Sequence, residues 1–218
     1  MASHTEENYL KTLLSLSWGK EQVSLSDLSN DLKVKLPTAN SMIKNLKSQG
    51  LVNYEKYKPV SLTGKGTKMA ALVLRKHRLT EMFLTEVMGF GWEEVHEIAE
   101  QVEHISSPAF FDKMDEMLGS PKTDPHGSPI PDRKGNIIHS AFIPLSACKP
   151  EQSVRISAIL NDSAEFLGLL NSKELALGTE MTIIAVEAFD GSITVSYNKY
   201  HNVTLSEKVS QQILVSVE

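Results

Sequence analysis

Leu36-Pro37-Thr38-Ala39-Asn40-Ser41-Met42-Ile43-Lys44-Asn45-Leu46-Lys47-Ser48-Gln49-Gly50 has the pattern of an amphipathic helix with a small, polar first turn. Met42, Ile43 and Leu46 mark the buried side of a helix that Gly50 closes. Pro37 suits the first helical position, where its missing N–H would lack a partner anyway. Upstream, Ser24-Leu25-Ser26-Asp27 has the form of a capping box, and Leu25, Leu28 and Leu32 follow as inward positions of a shorter helix. Two short helices joined by a tight turn, the second opening with small polar residues, form the arrangement that lays a helix into the major groove of DNA. Lys35, Pro37, Thr38, Asn40, Ser41 and Lys44 would then face base edges or phosphates.

The flanking segments complete that arrangement. Tyr9, Leu10, Leu13, Leu14 and Leu16 predict a first helix from Asn8 to Trp18, ended by Gly19. Downstream, Leu51–Lys56 and Val60–Leu62 are short β-prone runs around Tyr57-Lys58-Pro59. They read as a hairpin or wing, with Lys56 and Lys58 placed for phosphate contact. A generic three-helix subdomain with a surface hairpin is the plain alternative. A long helix follows from Thr63 through Leu72, Leu79, Phe83 and Val87 before Gly89 and Gly91 break it. It sets His77 and Glu81 four residues apart on one face.

Val95-His96-Glu97-Ile98-Ala99-Glu100-Gln101-Val102-Glu103-His104-Ile105 carries the densest chemistry. Read as a helix, it gathers His96, Glu100, Glu103 and His104 on one face, with Val95, Ile98, Ala99, Val102 and Ile105 as an apolar stripe opposite. Such a face is either a solvated surface or a place for a cation. After Ser107-Pro108, a helix with Phe110, Phe111, Met114, Met117 and Leu118 is too apolar for a free surface, which makes it core or dimer seam. Residues 119–135 are rich in Pro and Gly, include Asp124-Pro125-His126, and read as a loop or interdomain boundary. Beyond Cys148 the period becomes that of strands. Ser153–Ile159, Met181–Ala188, Ser192–Tyr197 and Gln212–Val217 predict a small β-barrel, with a turn at Asp190-Gly191 and one short helix from Asp162 to Asn171. Asp162 and Glu165 sit where acidic residues favour a helix N-terminus, without need of any ligand role.

Composition agrees with an ordinary globular chain: 218 residues, 41% hydrophobic and 22% charged, with no signal-peptide pattern or membrane-length apolar run. The expected location is cytoplasmic. The single Cys148 excludes an internal disulfide or a multi-cysteine zinc site, so any metal must use imidazole and carboxylate ligands. The net charge of −5 argues against nucleic acid until its distribution is considered. Residues 1–70 hold ten lysines against six acidic residues, a basic segment on an acidic remainder.

Glu7-Asn8-Tyr9-Leu10-Lys11-Thr12, Leu36-Pro37-Thr38, Gly50-Leu51-Val52, Leu62-Thr63-Gly64-Lys65-Gly66, Arg75-Lys76-His77-Arg78-Leu79 and Val102-Glu103-His104 occur in an order and spacing that resemble the diphtheria toxin repressor family of metal-dependent repressors, manganese transport regulators included. The resemblance covers nearly the whole chain. It implies an α+β protein with a winged helix-turn-helix domain (1–72), an all-helical metal-binding and dimerisation domain (73–140) and a small SH3-like C-terminal barrel (148–218). It implies a repressor of metal-ion homeostasis genes that binds a palindromic double-stranded DNA operator as a homodimer, with Mn²⁺ or, alternatively, Fe²⁺ as co-repressor. The regulatory site would use Glu100, Glu103 and His104 with Asn8, and a second site would use His77, Glu81, His96, Asp162 and Glu165. Some relatives recruit a loop pair placed like Asp124 and His126.

Two departures matter. Glu100 stands where iron-type members have Cys, and a hard carboxylate favours Mn²⁺. Asn8 stands where manganese-type members have Asp, and Lys11, where some have Glu, is no ligand while protonated. Alanine in place of Glu103 or His104 is expected to remove metal-dependent binding with the fold intact. A metal-independent winged-helix regulator and a metalloenzyme remain as rivals, but the single Glu93-Glu94-Val95-His96 is half of what a di-iron bundle needs and no nucleophile motif occurs. The chain is not expected to be an enzyme.

Overall fold

The computed structural model describes residues 3–18, 22–138 and 141–217. The chain divides into two compact units. One comprises Met1–Thr80, Ala99–Ser120 and Ile130–Ile138; the other comprises Glu81–Ile98, Pro121–Pro129 and His139–Glu218.

In the first unit, α1 runs over His4–Leu16, earlier than its apolar period suggests. Ser3 and Glu6 form a capping box there: the Glu6 N–H donates to the Ser3 hydroxyl and the Ser3 N–H to the Glu6 carboxylate at 2.8 Å. The proposed stop at Gly19 lies outside the described residues. α2 (Leu25–Asp31) starts at Ser24, whose hydroxyl accepts the Asp27 N–H at 3.0 Å. α3 (Leu36–Ser48) is capped by Lys35, so Pro37 is its second residue rather than its first. Gly50, with φ +70°, turns the chain into β1 (Val52–Asn53), which pairs antiparallel with β2 (Ser61–Leu62). Val60 also bridges to Val23, tying the wing to the segment before α2. The core contains Leu10, Leu13, Leu28, Ile43, Leu46 and Leu51, each at most 1% exposed. Each such side chain contributes about 1.5–3 kcal/mol of burial.

α4 (Gly64–Glu86) begins after Thr63, whose hydroxyl accepts the Gly66 N–H at 3.1 Å. α5 covers only His96–Val102. The helix expected to reach Ile105 ends three residues early. The Glu103 N–H still donates to Ala99, but the Ile105 N–H bonds Val102 in a tighter turn. α6 (Pro108–Met117) starts at Ser107 and buries Phe111, Met114 and Asp115, while Phe110 and Met117 stay exposed. Asp115 pairs with Arg75 at 2.9 Å within this unit.

The second unit holds six antiparallel strands among the described residues, in the order β3-β8-β4-β5-β6-β7. They are β3 (Ile143–Pro144), β4 (Ser153–Ile159), β5 (Glu180–Val186), β6 (Ile193–Tyr197), β7 (Tyr200–Leu205) and β8 (Ile213–Val217). A short 3₁₀ turn (Leu145–Ala147), α7 (Ala164–Ser172) and α8 (Glu207–Ser210) complete it. Val154 and Ile156, Ile193 and Val195, and Ile213 and Val215 alternate inward against Leu167 and Leu170 of α7. β3 and β7 were not foreseen; β7 reads Tyr-His-Asn-Val-Thr-Leu and is half exposed at the sheet edge. The β5–β6 connection is longer than a two-residue turn: Glu187 and Ser192 still bond across it, and Asp190 accepts the Ser192 N–H. Cys148 lies in this core, where burial pushes its thiol pKa up. No helix among the described residues is long and apolar enough to cross a membrane.

Candidate metal centre

The first unit gathers α1, α4 and the turn after α5 around Glu103, which is fully buried. Its Oε2 accepts from the Lys11 ammonium at 2.7 Å and from His77 Nδ1–H at 2.6 Å. Burial alone would raise this carboxyl's pKa. The His77 hydrogen bond and the charges of Lys11 and His77 outweigh it and hold the group below the usual carboxylate range. Lys11 also donates to Glu100 Oε1. The other Glu103 oxygen, Oε1, is buried and has no hydrogen-bond partner, and the same holds for Asn8 Oδ1.

His104 supplies the remaining group. Its Nδ1 lies 2.7 Å from Glu7 Oε2, and since a carboxylate oxygen accepts, this ring nitrogen carries the proton. His4 stacks flat on the ring at 4.5 Å. Nε2 is thereby left to face Glu103 Oε1 at 3.7 Å, too long for a hydrogen bond. A cation between them would take the imidazole nitrogen and the buried carboxylate oxygen as ligands. Of the expected ligands, Glu103 and His104 face one another, Glu100 is joined to Glu103 through Lys11, and the buried Asn8 Oδ1 has no hydrogen-bond partner. Oxygen and imidazole donors without sulfur suit Mn²⁺ or Fe²⁺. Glu7, not singled out from the sequence, orients the imidazole by accepting from Nδ1, as the outer partners of metal ligands commonly do.

The second unit contains another cluster, centred on Glu81. His96 Nδ1 lies 3.5 Å from Glu81 Oε1 and 3.6 Å from Asp162 Oδ2. On the other oxygen, His126 Nδ1 lies 4.0 Å from Glu81 Oε2 and 4.0 Å from Asp124 Oδ1. Glu81, His96 and Asp162 thus form one donor group, and Glu81, Asp124 and His126, all buried, form a second. The loop that carries Asp124 and His126 is rigidly held. Asp124 Oδ1 accepts the N–H groups of His126 and Ser128, and Ile159 of β4 donates to the His126 carbonyl at 2.8 Å. Gly127, at φ +83°, passes so close to β4 that an added Cβ would meet Ser157 O at 2.3 Å. His126 Nε2 is 3.0 Å from the Trp92 carbonyl, which can only accept, so this ring nitrogen carries a proton and Nδ1 faces the carboxylates. Trp92, also missed from sequence, stacks on this ring and donates its indole N–H to Asn171. Glu165 is exposed on α7 and joins neither donor group.

The residues expected to meet DNA occupy the start of α3 and the wing. Lys35, Pro37, Thr38, Ser41 and Lys44 are exposed, as are Lys56 and Lys58. Asn40 is half-buried, and its oxygen accepts the Tyr54 hydroxyl at 2.8 Å, which fixes α3 against the wing. Lys58 pairs with Glu55 at 2.6 Å, and Lys56 lies over the ring of Tyr57, an 88% exposed tip residue with φ +66°.

Comparison with known proteins agrees with both units. Residues 1–60 match the iron dependent repressor N-terminal DNA binding domain, residues 63–132 its metal binding and dimerisation domain, and residues 143–217 the FeoA domain. The iron-dependent repressor IdeR of Mycobacterium leprae is 35% identical over 127 residues, 58% of this chain and 55% of that protein. The chain thus spans about half the length of that curated relative. The diphtheria toxin repressor of Corynebacterium efficiens is 27% identical across 89% of this chain and 87% of its own. A solved structure of a manganese-dependent transcriptional repressor in complex with manganese superposes with a TM-score of 0.89 at 30% identity, over 98% of this chain and 100% of that one. This chain belongs to the diphtheria toxin repressor family.

T. acidophilum IdeR is similar over the whole length of both chains as well, with a TM-score of 0.82 and 29% identity. As a member of that family, the protein has its helical DNA-binding part, helical dimerisation part and SH3-like C-terminal part in the expected order.

Proposed function

We propose that this protein is a cytoplasmic, metal-dependent DNA-binding repressor of metal-ion homeostasis genes. It acts as a homodimer on a palindromic operator, with Mn²⁺ or alternatively Fe²⁺ as co-repressor and no catalytic activity of its own. The observation that carries the reading is the two buried, unpartnered oxygens, Glu103 Oε1 and Asn8 Oδ1, with His104 Nε2 3.7 Å from the former. A metal-independent regulator would leave these groups buried at a cost of about 1–3 kcal/mol each.

Asn8, Glu100, Glu103 and His104 would hold the regulatory ion. Glu81, His96 and Asp162 would hold a second, with Asp124 and His126 as the loop pair, and Glu165 standing further out. His77, which the resemblance places with the second site, steadies Glu103. A bound divalent cation supplies positive charge that draws donors of α1 and of the turn after α5 together. α1 also carries Glu6, whose carboxylate accepts from Asn45 Nδ2 at 2.8 Å and Gln49 Nε2 at 2.5 Å on α3. One helix thereby touches both the donor set and the DNA-facing helix, the kind of shared element that linkage requires. Lys35, Pro37, Thr38, Asn40, Ser41 and Lys44 would meet the major groove, with Lys56 and Lys58 on the backbone phosphates.

Gel-shift titration of an operator fragment with Mn²⁺, with Fe²⁺ and with chelator tests this directly. Affinity should rise at least tenfold with metal and fall back on chelation. DNA binding indifferent to metal would overturn the reading.

A further inference from the structure

We infer that Lys11 is a built-in counter-cation of the regulatory centre, one that weakens divalent-ion binding and so sets the concentration at which the repressor responds. This rests on the proposed metal-binding role of Glu103 and His104. Lys11 sits on α1 one turn beyond Glu7 and Asn8 and is only 7% exposed. Its ammonium donates to Glu100 Oε1 and, at 2.7 Å, to Glu103 Oε2. The contact with His77 Nδ1, at 3.4 Å, is no hydrogen bond, because that N–H is already given to Glu103.

The division of labour on Glu103 is what makes the lysine more than an ordinary ion pair. Oε2 is saturated by two donors, while Oε1 has none and faces His104. The carboxylate therefore offers one oxygen to the ammonium and the other to an incoming ion. Nothing in this arrangement requires Lys11 to leave when the ion arrives, so two cations share one carboxylate in a buried place. Like charges so close disfavour one another strongly, as pKa shifts of one to three units beside a neighbouring charge illustrate. The lysine also helps the centre stay assembled without metal, since beside His77 it compensates the buried carboxylate of Glu103 and ties it to the partly exposed Glu100.

The experiment is a Mn²⁺ titration of the full chain by competition with a fluorescent chelator, paired with melting in EDTA and in excess Mn²⁺. Glu81→Ala is placed in every sample so that the second centre is silent. Lys11→Met and Lys11→Gln should bind Mn²⁺ roughly tenfold or more tightly, as removal of one neighbouring charge requires. They should melt lower than the parent in EDTA and recover with Mn²⁺, whereas Lys11→Arg should keep the parent's affinity. Unchanged or weaker Mn²⁺ binding in both neutral variants would overturn the inference and leave Lys11 as a structural ion pair. If Lys11→Met fails to fold in EDTA, Lys11→Gln decides by the same measurement. A parent chain that binds no Mn²⁺ would instead sink the metal-site reading on which the inference depends.

Discussion

Glu103 belongs to no solvated face: it is the most enclosed charged side chain of the first unit, held by Lys11 and His77 and open toward His104. Alanine at this position therefore does more than delete a ligand. It strips Lys11 of one of its two carboxylate partners, so the expectation of an intact fold is revised to a loss of about 3 kcal/mol in metal-free stability. His104 lacks that entanglement. Its orientation depends on Glu7, which is partly exposed and pairs with Nδ1 at 2.7 Å. Glu7→Gln should lower Mn²⁺ affinity about 10- to 100-fold while metal-free stability changes by less than about 1 kcal/mol. Calorimetric titration and EDTA melts measure the two effects separately, and equal affinity in parent and variant would remove Glu7 from the centre. The residue types of the site were legible in sequence because His and Glu recur at helical spacing. Glu7 and Trp92 were not, since a residue that orients a ligand has no spacing signature of its own.

Among the elements, α1 and α5 show where periodicity misleads. The first turn of α1 is polar, so an apolar period places its start at Asn8, although Ser3 and Glu6 carry a legible capping signal. In α5, eleven residues fit a helical wheel as well as seven residues plus a turn do. Glu103 keeps the helical bond to Ala99, and the tighter turn begins beyond it, at Ile105. β7 escaped notice because a polar edge strand shows little alternation. Helices α2 and α3, the wing and β4 were readable because burial and local turn chemistry agree there. The α1–α3 tie through Glu6 makes its own prediction. Glu6→Ala should cost about 1.5–3 kcal/mol, the range for hydrogen bonds to a charged group. It should also shrink the ratio of DNA affinities with and without Mn²⁺, while Mn²⁺ affinity stays within about threefold of the parent. Fluorescence anisotropy on labelled operator measures that ratio; an unchanged ratio would show that the contact is structural only.

At the scale of the whole molecule, two separate cores answer to separate probes. Trp18 lies in the first unit and Trp92 in the second, so single-tryptophan variants report each melting transition by itself. Leu170 is fully buried in the second core. Leu170→Ala should cost that unit about 2–5 kcal/mol. The transition seen by Trp92 should shift downward while that seen by Trp18 holds its place. Equal shifts in both would mean that the units melt as one. The division into a helical front and a strand-rich back was visible in the change of period after Cys148. That both α4 and α5 contribute residues to each unit was not, because pattern along a chain carries no information about which cluster a helix end joins.

The placement of Glu6, Glu7, Asn8 and Lys11 within two turns of α1 has a consequence for what this protein can tolerate. Glu6 points toward α3, while Glu7 and Lys11 point toward the turn after α5. The angle between these directions is set only by the roughly 100° each residue adds around the helix axis. Substitutions along α1 can be absorbed one side chain at a time. Adding or deleting a single residue between Glu6 and Glu7 cannot, because it rotates one set of contacts away from the other. The helix thus acts as a ruler, and its register is more constrained than its composition.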